Sequence, residues 1–248
     1  MATLVSRGGG QVNACEGANR RTNLLSVTPE PRRSRNASRE RRLLYGVDLK
    51  SGGFLILLLP IFPLELVLLP GVPLPLHIFE PRYKEMIAEC LEQKKPFGIV
   101  RASSEGVADV GCTAEIMSVI KKYDDGRMDI LARGVERFEV IEVNEDRAFL
   151  QAEIAVMEDE PEKPPLEMVT QAVRLHAEIA KLAGEYPSGP EEDARNLSFL
   201  LAGSLPLDLD FKQSLLATLS EAKRLEAVVG YLQAVLPGLR RAAKARWN

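Results

Sequence analysis

Between Phe54 and Tyr83 the chain is almost entirely apolar residues and proline. A run of that length raises the question of a membrane span. Five prolines answer it. Pro60, Pro63, Pro70, Pro73 and Pro75 each remove a backbone donor and fix φ, so no continuous helix can carry the segment through lipid, where every backbone group must be paired internally. The segment is therefore predicted to be extended and buried in protein, as short strands turning at Pro70-Gly71 with prolines at strand starts, edges or bulges. From Pro81 the spacing changes. Tyr83, Met86, Ile87, Cys90 and Leu91 recur at helical intervals, and Pro81 suits a first helical position, which predicts a helix from about Pro81 to Lys94 stopped by Pro96.

Period-two patterning then takes over. Phe97 to Val100 reads as a buried strand. A long strand follows Val110-Gly111-Cys112, with Ala114, Ile116, Ser118, Ile120 and Lys122 on one face and Glu115, Met117, Val119 and Lys121 on the other. Asp125-Gly126 is a hairpin signal, because glycine supplies the positive φ of the turn. Extended character resumes from Met128 to Arg133, again from Arg137 to Val143 after Gly134, and again from Phe149 to Met157. Together with the proline-rich strands this predicts six to eight strands closing into a small antiparallel barrel or strongly curved sheet, plus one helix.

Glu158 to Pro165, EDEPEKPP, is an acidic, proline-bearing stretch read as a linker at 159–165 between a barrel over 54–158 and helices over 166–248. Leu166, Val169, Val173, His176, Ala180 and Ala183 trace one face of a helix ending at Gly184, and Leu197, Leu200 and Leu201 a second. Asp210 with Gln213 resembles a capping box for a third. Ser220 is placed to cap a fourth that holds Leu225, Val228, Val229, Leu232 and Leu236 and is expected to end at Pro237-Gly238.

The 248 residues are 46% hydrophobic, enough for a substantial core, with a formal net charge of −3. That figure hides an asymmetry. Residues 1–53 hold nine Arg and one Lys against four acids, a balance of +6, which leaves −9 on the rest. The first 53 residues lack hydrophobic periodicity, so a disordered basic extension is predicted there; an Arg-rich targeting segment and a nucleic-acid arm are the competing functional readings. The negative balance from residue 54 onward argues against a nucleic-acid surface on the folded part. Cys15, Cys90 and Cys112 are widely spaced and odd in number, which fits a reducing, cytoplasmic setting rather than a disulfide framework or zinc knuckle. Cys90 and Cys112 read as buried small hydrophobes.

Catalytic signatures are missing. No G-x-x-x-x-G-K-[ST] phosphate loop and no G-x-S-x-G elbow occurs. His77 and His176 lie far apart, without Cys or carboxylate at ligand spacing, and read as core or boundary histidines. Glu80 and Arg82, flanking Pro81, read as a pair at a helix start. No catalytic, cofactor-binding or metal-ligating residue is assigned.

Leu59-Pro60-Ile61-Phe62-Pro63-Leu64, Val67-Leu68-Leu69-Pro70-Gly71 and Pro75-Leu76-His77-Ile78-Phe79-Glu80-Pro81-Arg82-Tyr83 resemble the opening of the Lon N-terminal domain, in its stand-alone form. Pro96-Phe97-Gly98, Val110-Gly111-Cys112-Thr113-Ala114, Asp125-Gly126, Arg133-Gly134, Arg137-Phe138, Leu197-Ser198-Phe199-Leu200, Leu205-Pro206, Lys212-Gln213 and Arg224-Leu225 extend the likeness over about residues 54–236. The resemblance implies an α+β fold, a PUA-like β-barrel with one inserted helix followed by a helical bundle. It also implies a non-catalytic module that binds polypeptide segments or a protein partner, without ATPase or protease domains, cofactor or membrane. An RNA-binding role, known among PUA-like folds, is the alternative; it would use a basic strip of Lys121, Lys122, Arg127 and Arg133.

Overall fold

The computed structural model describes residues 56–104, 106–184 and 196–246. The chain divides into two units, Met1–Ser34 and Arg35–Asn248, and every described residue belongs to the second. The basic extension over 1–53 and Cys15 lie outside the described residues.

Eleven elements follow in order: β1 (Ile56–Leu64), β2 (Pro73–Ile78), α1 (Pro81–Gln93), β3 (Phe97–Ser103), β4 (Gly106–Lys122), β5 (Met128–Asn144), β6 (Gln151–Val156), α2 (Leu166–Ala183), α3 (Leu197–Gly203), α4 (Leu209–Ala217) and α5 (Glu221–Arg246). The proline-rich stretch is extended, as its prolines require, and no helix among the described residues is long and apolar enough to cross a membrane. The six strands form one sheet in the order β2-β5-β4-β3-β1-β6, with β5 also pairing β6. Neighbours therefore run β1-β3-β4-β5-β6 and back to β1, while β2 branches from the first half of β5.

The expected antiparallel barrel needs correction on two counts. The sheet is mixed, because β1 runs parallel to β3; their connection passes through β2 and α1, the long crossover that a parallel pair requires. And β2 stands outside the circuit as a sixth strand. A third difference concerns β5, which is one strand of 17 residues where the pattern suggested two separated at Gly134. Between Cys112↔Arg137 and Ala114↔Gly134 the register slips, with more residues on β5 than on β4. The buried Thr113 fills the gap: its hydroxyl accepts from the Glu136 amide at 3.0 Å and donates to the Glu136 carbonyl at 3.3 Å, so the ladder continues across the bulge.

Glycines make the interior possible. Phe138 fills the inside of the strand circuit with Leu57, Leu59, Ile61, Val100, Ala152 and Ile154. A Cβ on Gly98 or Gly111 would stand 2.9 or 2.5 Å from the Phe138 ring. At Gly134 a Cβ would come within 2.3 Å of the Leu69 carbonyl oxygen, and the two backbones bond there, Gly71 N–H to the Gly134 carbonyl at 2.9 Å and Gly134 N–H to the Val72 carbonyl at 3.0 Å. The Pro70-Gly71 turn is thus laid directly on β5 while Gly71 and Val72 touch Leu200 and Gly203 of α3. One apolar cluster runs from the sheet and α1 into the helices, through Phe62, Phe97, Ile130, Phe199, Leu216 and Leu232.

Two of the unpaired margins of the sheet, the outer side of β2 and the far half of β4, lack a regular ladder. A proline has no N–H to give, so the β2 donors to β5 are Leu74, Leu76 and Ile78, and Pro73 and Pro75 turn toward the unpaired side. Along β4 beyond Ala114, where β3 no longer pairs, Met117 and Ile120 are the extra residues of two bulges, and both are exposed.

Candidate functional site

Where the sheet meets the helices, two arginines converge on one carboxylate. Arg137, re-aimed by the β5 bulge, and Arg224, on the apolar stripe of α5, are 4% and 0% exposed. Arg224 grips Asp159 with two parallel bonds, Nη1 to Oδ1 at 3.0 Å and Nη2 to Oδ2 at 2.7 Å, and Arg137 donates Nη2 to the same Oδ1. Burying two guanidiniums is tolerable only if every donor finds an acceptor. Arg137 gives Nη1 to the Leu216 and Thr218 carbonyls, both at 2.8 Å. Arg224 gives Nη1 to the Thr218 carbonyl at 2.7 Å, Nε to Ser198 Oγ at 3.0 Å and Nη2 to Glu221 Oε2 at 2.6 Å. Phe199 lies under both cations, with Arg224 at 4.3 Å and Arg137 at 5.6 Å from its ring centre. Burial lowers the Arg137 pKa; burial acts the same way on Arg224, but the Asp159 and Glu221 carboxylates outweigh it and the net shift is upward. Asp159 lies in the acidic stretch read from sequence as a linker, and it ties that stretch to β5 and α5.

Beside this network opens a cleft of about 970 Å³, walled by Val135 to Arg137 of the bulge, Pro70 of the turn, Met157 to Pro164, and Val169, Leu197 and Leu225 of the helices. Its walls mix apolar side chains with the carboxylates of Glu158, Asp159, Glu160, Glu162 and Glu221.

The residues singled out from sequence fall elsewhere. His176 is buried in α2, its Nε2 2.6 Å from Ser204 Oγ. Ser204 spends its hydroxyl hydrogen on the Leu201 carbonyl at 3.0 Å, so the imidazole is the donor, and burial lowers its pKa. His77 is exposed and bonds Asp129, whose other oxygen accepts from Tyr123 at 2.8 Å. The two histidines are not brought together. Burial pushes the Cys90 and Cys112 thiols up to about 12, which leaves neither as a thiolate nucleophile at neutral pH. Glu80 precedes the first turn of α1 without a side-chain cap and pairs with Arg82 at 2.8 Å. In the basic strip, Arg127 is held by Asp125 at 2.6 Å, Arg133 by Glu115 at 2.5 Å, and Lys121 lies over the Tyr123 ring at 4.4 Å. Among the described residues no group of three or more His, Cys, Asp and Glu is arranged to hold a metal ion.

A sequence model of the ATP-dependent protease La (LON) substrate-binding domain matches residues 58–234. The chain belongs to the Lon substrate-binding domain family. Among its relatives, the Lon protease of Anaeromyxobacter dehalogenans is 27% identical over 192 residues, covering 70% of this chain and 23% of that protein. The Lon protease of Parabacteroides distasonis is 30% identical over 144 residues, covering 54% and 17%. The chain therefore spans less than a quarter of the length of these Lon proteases. A solved Lon N-terminal domain protein from Xanthomonas campestris is similar with a TM-score of 0.58 and 26% identity, over 70% of this chain and 98% of that one. The N-terminal domain of a Mycobacterium avium complex Lon protease shares the fold at a TM-score of 0.55 and 19% identity.

Of the junction network, Arg137, Ser198, Phe199 and Arg224 all lie in motifs that carry the Lon resemblance, whereas Asp159, which both arginines grip, lies outside those motifs in the stretch that the sequence reads as a linker. A signal for Arg224 existed. It falls in the stripe Leu225, Val228, Val229, Leu232 of α5, and a cation on an apolar helical face demands a buried acceptor.

Proposed function

We propose that the chain is a non-catalytic module that binds polypeptide segments, and that the cleft between the β5 bulge, Met157 to Pro164 and the helices receives them. Membership in a family described as the substrate-binding domain of a protease carries the reading, since the substrates of a protease are polypeptides. The cleft supports it: apolar walls with polar groups at intervals suit segments that expose hydrophobic side chains. The sheet margins support a groove over strand addition, because Pro73 and Pro75 on one side and the β4 bulges on the other interrupt the ladder an added strand would need. The RNA alternative draws little from the basic strip, where Arg127 and Arg133 already face carboxylates.

The test is fluorescence-polarisation binding of labelled, reduced and carboxymethylated lactalbumin, an unfolded polypeptide, against the same protein in its native state. Selective binding of the unfolded form is expected, weakened at least fivefold by Val135→Arg, which places a long cation in the cleft from a half-exposed position. Equal affinity for native and unfolded lactalbumin, or undiminished binding by a folded Val135→Arg variant, would overturn the proposal.

A further inference from the structure

A second groove, of about 480 Å³, lies on the helical part and is separate from the cleft above. Ile179 near the end of α2 forms one wall, Leu205 to Leu207 another, and α5 from Tyr231 to Arg241 the third. Those ten residue steps along α5 span roughly 15 Å. Apolar side chains dominate the lining, Leu239 among them partly exposed. α5 was expected to stop at Pro237-Gly238, yet it continues to Arg246. A proline removes one helical donor, to the carbonyl four residues back, and the rest of the ladder continues. Within the groove wall, Gly238 has no atom within 4 Å of where a Cβ would stand.

The charge around this groove is one-sided. Arg241 lines it and Lys244 follows one turn later; both are exposed and neither has an ion-pair partner among the described residues. The nearby acids are already engaged. Glu178 holds Arg240 at 2.6 Å, Asp208 caps α4 by accepting from the Asp210 and Phe211 amides, and Asp210 pairs with Arg101 at 2.5 Å. Cations in the last turns of a helix favour its dipole wherever they stand around the axis. That accounts for their presence but not for an apolar trough opening beside Arg241.

We propose that this groove docks an acidic amphipathic helix of a partner polypeptide, about three turns long, with leucine-like side chains in the trough and carboxylates facing Arg241 and Lys244. An apolar stripe repeating at three and four residues matches a trough along a helix, and opposite charge at the rim selects the acidic partner over a basic one. The proposal is independent of the cleft, and its variants are different residues, so either can fail alone.

The experiment uses the full chain and two labelled 14-residue peptides with leucines at positions 2, 5, 6, 9 and 13, one filled otherwise with Glu and Ala, the other with Lys and Ala. The Glu peptide is expected to bind at least tenfold more tightly than the Lys peptide in low salt. Gly238→Trp adds bulk at a lining position where a Cβ meets no neighbouring atom within 4 Å and φ is not positive, and is expected to abolish binding while the melting temperature holds or rises. Arg241→Glu with Lys244→Glu is expected to weaken the Glu peptide at least tenfold. Equal binding of the two peptides, retention of binding by Gly238→Trp, or a concentration-dependent dimer that Gly238→Trp dissolves, which would assign the groove to a second copy of this chain, would each overturn the proposal.

Discussion

Asp159→Ala should markedly weaken the junction of sheet and helices. The carboxylate accepts three charge-assisted bonds, one from Arg137 and two from Arg224. Such bonds contribute about 1.5–3 kcal/mol each, so a simple sum reaches roughly 5–9 kcal/mol. Two effects reduce it. Arg137 keeps two backbone carbonyls, and Arg224 keeps Glu221, Ser198 and Thr218. Asp159 is also 32% exposed, so water can replace part of what it gave. Removing one partner from a buried ion pair costs about 3–5 kcal/mol, and screening at a third exposure places Asp159→Ala near the lower end, at roughly 3 kcal/mol. Urea unfolding followed by circular dichroism measures this as a lower midpoint at unchanged slope. Arg240→Ala is the control: its partner Glu178 and its own side chain are 34% and 56% exposed, and such pairs contribute less than about 1 kcal/mol. If Asp159→Ala costs no more than Arg240→Ala, the account of the network as the clasp between sheet and helices is wrong.

Two further outcomes follow from single sites. Gly134→Ala forces a methyl within 2.3 Å of the Leu69 carbonyl oxygen, and because that obstacle is backbone the variant should lose at least the roughly 1–3 kcal/mol typical of overpacking; a thermal melt indistinguishable from the parent would contradict the close approach. Burial depresses the His176 pKa, so the unfolded chain takes up that proton first as the solution is acidified. The stability tied to a neutral His176 is then complete above about pH 6.5 and is lost as pH falls through the depressed native value. Melting temperatures between pH 7 and 5 should fall less steeply for His176→Gln, which keeps a donor for Ser204; parallel slopes would show that the imidazole titrates alike in both states.

Local chemistry was legible in the sequence and long-range chemistry was not. The prolines of β1 and β2 forbade a helix, Gly126 at φ 81° marked the hairpin, and Gly184 at φ 84° closed α2. These are constraints that one residue imposes on its own backbone. The continuity of β5 depends on Thr113, more than twenty residues from the gap it fills, so a period-two pattern could only suggest a break at Gly134. The α4 cap is Asp208, whose side chain accepts from the Asp210 and Phe211 amides, rather than Asp210, which lies in the first turn and pairs with Arg101, distant in sequence. Pro237 was read as a stop, but the packing of α5 against α2 outweighs one missing donor. Of the junction, Arg224 could be suspected from its helical face, whereas its partner Asp159 lay in a stretch without periodicity.

The two sheet margins bear on solubility at high occupancy. A protein whose surroundings are rich in sticky extended chain risks becoming a seed, each captured segment templating the next along an open row of amides. Among the described residues, imino acids spaced along the outer side of β2 and two kinks along the far half of β4 deny such propagation a regular row of amides on those two borders.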